Sequence, residues 1–180
     1  MAVVPGAEQL DFRGVHAVDQ RTVYLLASGA GDKSRIYETT DGGSHWTLQL
    51  TNPDPKGFFD ALAFWNPRHG LVLGDPVDGR FVILITGDGG EHWVRQPGPQ
   101  ALPNEGGFAA SNSCLTVLGD GEVWFASGGV GAARVFHSSD GGRTWTVAPT
   151  PIRNDAASAG IFFAGILGCQ ARRGRRRRLH

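Results

Sequence analysis

Thr39-Thr40-Asp41-Gly42-Gly43-Ser44-His45-Trp46, Thr86-Gly87-Asp88-Gly89-Gly90-Glu91-His92-Trp93 and Ser138-Ser139-Asp140-Gly141-Gly142-Arg143-Thr144-Trp145 align without gaps. They share Ser or Thr, any residue, Asp-Gly-Gly, any two residues, then Trp. The aspartates recur at spacings of 47 and 52 residues, in the range where propeller blades repeat. An Asp before Gly-Gly accepts hydrogen bonds from backbone N–H groups two or three residues on. The glycines supply positive φ, and the Ser or Thr hydroxyl offers a second cap. Trp then opens the next strand and buries its ring, with the indole N–H satisfied nearby. Thr39, Asp41, Gly43 and Trp46 are thus read as structural, as are Thr86, Asp88, Gly90 and Trp93, and Ser138, Asp140, Gly142 and Trp145. Calcium would need several oxygen ligands, and one carboxylate per turn is too few, so the expectation is no metal and no cofactor.

Alternation and turn signals place four strands around each copy. The first set is Phe12–Val18, Thr22–Ala27, Arg35–Thr40 and Trp46–Leu50. The second is Phe59–Trp65, Gly70–Gly74, Phe81–Thr86 and Trp93–Gln96. The third is Phe108–Asn112, with a less regular continuation to Leu118, then Val123–Ser127, Arg134–Ser138 and Trp145–Ala148. Four short strands per repeat describe an all-β fold, a β-propeller blade repeated. The blades run over about 11–50, 58–96 and 107–148, and a fourth starts at 158–168, giving a partial propeller over 1–168. Propellers close with about four to eight blades, so the chain reads as a piece of a ring, or as one that self-associates through unpaired blade edges.

The repeated turn resembles the Asp-box, or bacterial neuraminidase repeat. A wider set of segments, Pro5-Gly6-Ala7-Glu8, Asp11-Phe12-Arg13, Ser34-Arg35-Ile36-Tyr37, Asn52-Pro53-Asp54-Pro55-Lys56 and Gly74-Asp75-Pro76-Val77-Asp78-Gly79-Arg80-Phe81, is similar to bacterial relatives of the photosystem II stability/assembly factor family. This resemblance covers residues 5–163. It implies a ring of seven blades, a non-catalytic scaffold with a protein or peptide partner, and export from the cytoplasm to a periplasmic or equivalent space. Asp-boxes also occur in sialidases, so an exported glycan-binding or glycan-cleaving propeller is the alternative.

Composition narrows the classes. Gly makes up 27 of 180 residues and Pro 10, which favours turns over long helices. Six of 17 basic residues lie at Arg172, Arg173, Arg175, Arg176, Arg177 and Arg178, leaving residues 1–168 with 11 basic and 17 acidic groups, a net of −6. That charge disfavours nucleic acid as a partner. Residues 169–180 read either as a disordered basic tail that meets anionic surfaces or as out-of-frame text from a frameshift. Two cysteines, Cys114 and Cys169, make neither a disulfide framework nor a zinc site. No stretch reaches the roughly 18 apolar residues of a membrane span, and the start lacks the basic n-region and apolar run of a signal peptide.

Strand direction puts the Asp-Gly-Gly turns on one face with the turns joining first and second strands. Loops between second and third strands share the opposite face with Gln100–Gly107. There Arg35, Arg80 and Arg134 begin the third strands. They are candidates for binding an acidic peptide, a carboxylate or another anion, with Asp32, Asp75 and Asp78 as competing salt-bridge partners. A sialidase needs a Tyr/Glu pair facing three arginines. Tyr24 and Tyr37 are the only tyrosines, and the spacing shows no such pair. Asp60, Asp75, Asp78 and Glu105 are acids near loops, without the paired geometry of a glycosidase. The reading is a scaffold with no catalytic residues, leaning away from an enzyme.

Overall fold

A computed structural model describes residues 4–109, 112–119 and 121–162. Three four-stranded antiparallel sheets follow one another along the chain. The first holds β1 (Phe12–Ala17), β2 (Val23–Ala27), β3 (Arg35–Thr39) and β4 (Thr47–Thr51) in that order. The second holds β5 (Phe59–Phe64), β6 (Gly70–Val77), β7 (Arg80–Thr86) and β8 (Val94–Gln96). A two-residue strand β9 (Glu105–Gly106) precedes the third sheet, made of β10 (Leu115–Leu118), β11 (Glu122–Ala126), β13 (Arg134–Ser138) and β14 (Thr146–Pro149). The intervening β12 (Gly128–Gly129) pairs with β9.

Alternation buries both faces of the middle sheet, which is why all six residues of β5 are buried. Tyr24, Leu26 and Ile36 of the first sheet meet Phe59, Leu62, Phe64, Val72, Val82 and Leu84 of the second. On its other side Ala61, Leu71, Leu73, Phe81 and Ile83 meet Leu115, Val123, Phe125 and Phe136 of the third. Val4, Ala7 and Leu10 pack on Tyr37, Leu25 and Trp46 behind the first sheet. Two apolar seams therefore join three sheets. At the inner strands Asn112 links all three: its Oδ1 accepts Leu62 N–H at 3.0 Å, and its Nδ2 donates to Val15 O at 3.0 Å.

The third sheet departs from the expected strands. Phe108–Asn112 does not open it; the innermost strand is Leu115–Leu118. Phe108 stacks on Phe162 at 4.1 Å, and Asn112 sits at φ 56, its carbonyl taking Leu115 N–H at 3.1 Å. That turn delays the strand. Asp75-Pro76-Val77 also continues β6 rather than forming a loop. Val77 pairs with Arg80 across Asp78 (φ 52) and Gly79 (φ 79), the conformations of a two-residue hairpin turn. Of the expected fourth blade, Gly160 bridges to Gly128 without forming a strand, and residues 163–168 lie outside the described residues. So do the basic tail and Cys169. Among the described residues no helix is long and apolar enough to cross a membrane.

Candidate functional site

The three Asp-Gly-Gly turns lie together on one face. Gly42, Gly89 and Gly141 each donate their N–H to the turn between the first two strands of their own sheet, at Arg21 O, Arg68 O and Gly121 O, over 2.8–2.9 Å. In each turn the leading hydroxyl accepts an N–H from the second glycine at 2.9 Å: Thr39 from Gly43, Thr86 from Gly90, Ser138 from Gly142. These glycines sit at φ 91, 92 and 84, a region costly for any residue with a Cβ. Asp41, Asp88 and Asp140 accept the N–H four residues on at 2.9, 3.0 and 2.9 Å. The residue at that position carries a second function the pattern did not show. His45 and His92 meet the other carboxylate oxygen through Nδ1 at 2.6 and 2.7 Å, and Thr144 does so through its hydroxyl at 2.6 Å.

These bonds favour the ionised carboxylate. The His45 N–H and ring hold Asp41 far below the usual carboxylate range. The His92 N–H and ring lower Asp88 to about 2. Burial opposes the shift at Asp140, but the Thr144 hydroxyl and N–H outweigh it and bring the group to about 2. Asp88, Glu91 and His92 come within 4.8 Å of one another on the exposed turn, yet Asp88 is already engaged by the turn itself. The indoles differ: Trp145 Nε1 donates to Gly142 O at 3.1 Å, whereas Trp46 and Trp93 Nε1 are buried without a partner, contrary to the expected satisfaction of all three.

On the opposite face the three arginines do begin β3, β7 and β13, but they are not a single cluster. Arg35 folds back on its own loop, donating from Nε to Asp32 O at 2.7 Å, with the Asp32 carboxylate 3.9 Å away. Arg80 and Arg134 line one groove of about 420 Å³ at the outer edge of the second seam, together with Arg143, Phe136, Trp145, Val147 and the Pro97–Gln100 linker. No acid lines it. Arg80 is exposed and donates Nη1 to Gly98 O at 2.9 Å. It forms no ion pair among the described residues. Gly98 is required there, since a Cβ would fall 1.8 Å from Phe81 O.

Arg134 is held differently. Its Nε donates to Glu105 Oε1 at 2.8 Å, its Nη2 meets Glu105 Oε2 and also donates to Gln100 O at 3.0 Å. Glu105 is fully enclosed and also takes Ser127 Oγ at 2.5 Å and Leu102 N–H at 2.7 Å. Burial raises its pKa, but the Arg134 and Ser127 bonds prevail and lower it overall. Asp75 and Asp78 are therefore not the arginine partners. Asp75 instead accepts Gly107 N–H at 2.9 Å. It also faces a second opening of about 580 Å³ that includes Glu105, Gly107 and Phe108. Behind Gly107 lies Asp60, 1% exposed, with Oδ2 unpartnered. Burial, then the Asp75 charge, push Asp60 well above the usual range, against a weaker pull from Arg13. Burial also raises Asp75 and pushes the nearby Cys114 thiol up to about 12, an inert core cysteine.

A Tyr/Glu pair does exist, contrary to the sequence expectation. Tyr24 Oη lies 2.9 Å from Glu38 Oε1 and 2.6 Å from Gly89 O. It is 1% exposed, and burial followed by the Glu38 contact drives its pKa upward. An activated nucleophile needs the opposite shift and an open face. This pair closes the first seam instead.

No protein-family model matches the chain. It is 32% identical over 130 residues to the photosystem II assembly lipoprotein Ycf48 of Synechococcus sp. (strain CC9902), covering 72% of this chain and 34% of that protein. It is 27% identical over 134 residues to the chloroplastic photosystem II stability/assembly factor HCF136 of Arabidopsis thaliana, covering 71% and 31%. The chain thus spans about a third of the length of these relatives. Among solved structures, YCF48 bound to D1 peptide superposes with a TM-score of 0.58 at 22% identity, over 80% of this chain and 42% of that one. YCF48 from Cyanidioschyzon merolae gives 0.57 at 20%, over 81% and 41%. The GH74 enzyme of Niastella koreensis gives 0.63 at 18%, over 90% and 24%, a likeness of fold alone. The chain is a homologue of the Ycf48/HCF136 photosystem II assembly factors, and its three sheets are blades of a β-propeller.

Proposed function

We propose that these blades belong to a non-catalytic, exported propeller scaffold that binds a protein or peptide partner, and that an acidic segment of that partner lies in the outer groove of the second seam. The supporting observation is the pairing of Arg80 and Arg143, which among the described residues have only carbonyl partners, with an apolar floor of Phe136, Trp145 and Val147 and no acid among the described lining residues. Guanidinium groups over an apolar floor suit carboxylates flanking an apolar side chain. Arg134, neutralised by Glu105, shapes the groove rather than adding free charge. Arg35, Asp32, Asp75 and Asp78 stand outside this groove. One solved relative, YCF48, is bound to a D1 peptide, which supports a peptide as the class of partner.

The test is a titration with a fluorescent peptide carrying two glutamates around a leucine, beside its lysine counterpart. The acidic peptide should bind, weaken with salt, and lose about tenfold in affinity on Arg80→Ala, as expected for one charge-assisted hydrogen bond. Equal binding of the lysine peptide would overturn the assignment. Self-association through exposed outer strands is part of the same reading, since all of β14 is exposed. Light scattering after size exclusion should show a dimer or larger species, and a monomer throughout would remove it.

A further inference from the structure

The two seams differ on the Asp-Gly-Gly face as well. At the first, Tyr24 crosses from sheet one, stacks on Phe64 at 4.1 Å and reaches the Gly89 carbonyl and Glu38. Tyr24 lies 17 residues before its turn aspartate and Glu38 lies three before. The residues at those positions in the second repeat are Leu71 and Ile85. Leu71 packs against Gly142 of the next turn, its Cδ1 2.7 Å from where a Gly142 Cβ would stand, but carries no hydroxyl for the Gly141 carbonyl. Ile85 and Gly141, the counterparts of the two groups that Tyr24 Oη contacts, line a cavity of about 420 Å³. The Gly141 carbonyl accepts no hydrogen bond among the described residues.

The rest of the lining is prepared for a ring. Trp65 stands where the first repeat has Val18, 23 residues before the aspartate. Its Nε1 donates to Glu122 O at 3.1 Å, which fixes the indole plane before anything binds. Fixing an aromatic wall in advance removes part of the entropic cost of binding. Asn66, His69, Thr86, Gly121, Asp140 and Arg143 make up the rest of the lining, and the Asp140 carboxylate is already held by its own turn.

We infer that this cavity is a binding site for a phenol ring, the tyrosine side chain of a partner, seated against Trp65 with its hydroxyl donating to the Gly141 carbonyl. The chain's own Tyr24 is the template for that pose. The site rests on the difference between the two seams and shares Arg143 with the groove assigned to the acidic segment, so Trp65→Val tests it apart from Arg80→Ala.

The probe is p-cresol, titrated into the full chain while the Trp65 indole N–H resonance is followed, with toluene and methyl glucoside in parallel. Saturable p-cresol shifts are expected, at least tenfold tighter than toluene. Leu71→Tyr, which fills the space from within, and Trp65→Val, which removes the wall and is followed instead at the Gly141 amide resonance, should each weaken p-cresol at least tenfold. Trp65→Val serves alone if Leu71→Tyr does not fold. Toluene binding as tightly as p-cresol would show that the hydroxyl is not read and would overturn the inference. So would a methyl glucoside shift tighter than that of p-cresol, which would make this a saccharide site, or the absence of any shift.

Discussion

The first and second seams are built from equivalent positions and end differently. At the outer edge of the first, Val82 and Leu84 lie six and four residues before the turn aspartate, and the groove is about 140 Å³. Asp54 and Arg95 approach to 3.7 Å across it. At the second, the same positions hold Arg134 and Phe136, and the groove is about 420 Å³ with three arginines and no acid among the described residues. On the turn face, Tyr24 closes the first seam while Leu71 leaves the second open. The lesson is that the repeat fixes where the sheets meet, whereas a few side chains at the rims decide whether a seam is only adhesive or also receptive.

Removing the aromatic centre of the second seam should have the largest effect. Phe125 stacks on Phe136 at 4.3 Å and meets the edges of Phe81 and Trp145 at 5.1 Å each. Phe125→Ala should cost about 4 kcal/mol in denaturant unfolding. A loss below about 1 kcal/mol would mean this cluster is not what joins the third sheet to the second. Next comes Glu105→Ala, which leaves the Arg134 guanidinium mostly enclosed without its counter-charge. It should cost about 3 kcal/mol, and Glu105→Ala combined with Arg134→Met should recover much of it. No recovery would show that Glu105 acts through the Leu102 and Ser127 bonds alone.

The first seam offers a smaller change. Tyr24→Phe keeps the ring stack on Phe64 and removes the hydroxyl between Glu38 and Gly89. A cost of about 1.5 kcal/mol is expected, as for a hydrogen bond to a charged group. A neutral result would mean that shape alone closes this seam.

The pH response separates the turns from the inner face by sign. Asp41, Asp88 and Asp140 have folded pKa values below their unfolded ones. Their stabilisation is present above about pH 4 and fades as pH falls toward the folded values, about 2 for Asp88 and Asp140. Asp60 and Asp75 are raised, so they disfavour the fold increasingly as pH climbs from about 4 through their folded values. Melting temperature against pH should fall on the acid side, less so in Asp140→Asn. The decline on the other side should flatten in Asp60→Asn. An unchanged acid limb in Asp140→Asn would show that the turn carboxylates do not govern it.

Much of the fold was legible because the turn chemistry is local. The side-chain bonds that shape each Asp-Gly-Gly turn run between residues four apart, and alternation on either side is a local pattern too. The third sheet's first strand was misplaced because Phe108 and Asn112 answer to distant partners, Phe162 in one case, Leu62 and Val15 in the other. The arginines were found by position, but their partners were not. Asp75 and Asp78 are near Arg80 in sequence, whereas Glu105, 29 residues before Arg134, is the acid that the fold delivers. The Tyr24–Glu38 pair was missed for the same reason: 14 residues separate them, yet adjacent strands set them opposite each other.

By itself the sequence determined the repeating unit, its turns and the face each loop occupies, since these depend on φ, on nearby hydrogen bonds and on period-two burial. Tertiary structure alone decided which seam opens, which arginine stays free of an acid and which carboxyl is buried without a partner. Those outcomes depend on the packing of one sheet against the next, where positions matched in the repeat meet different neighbours.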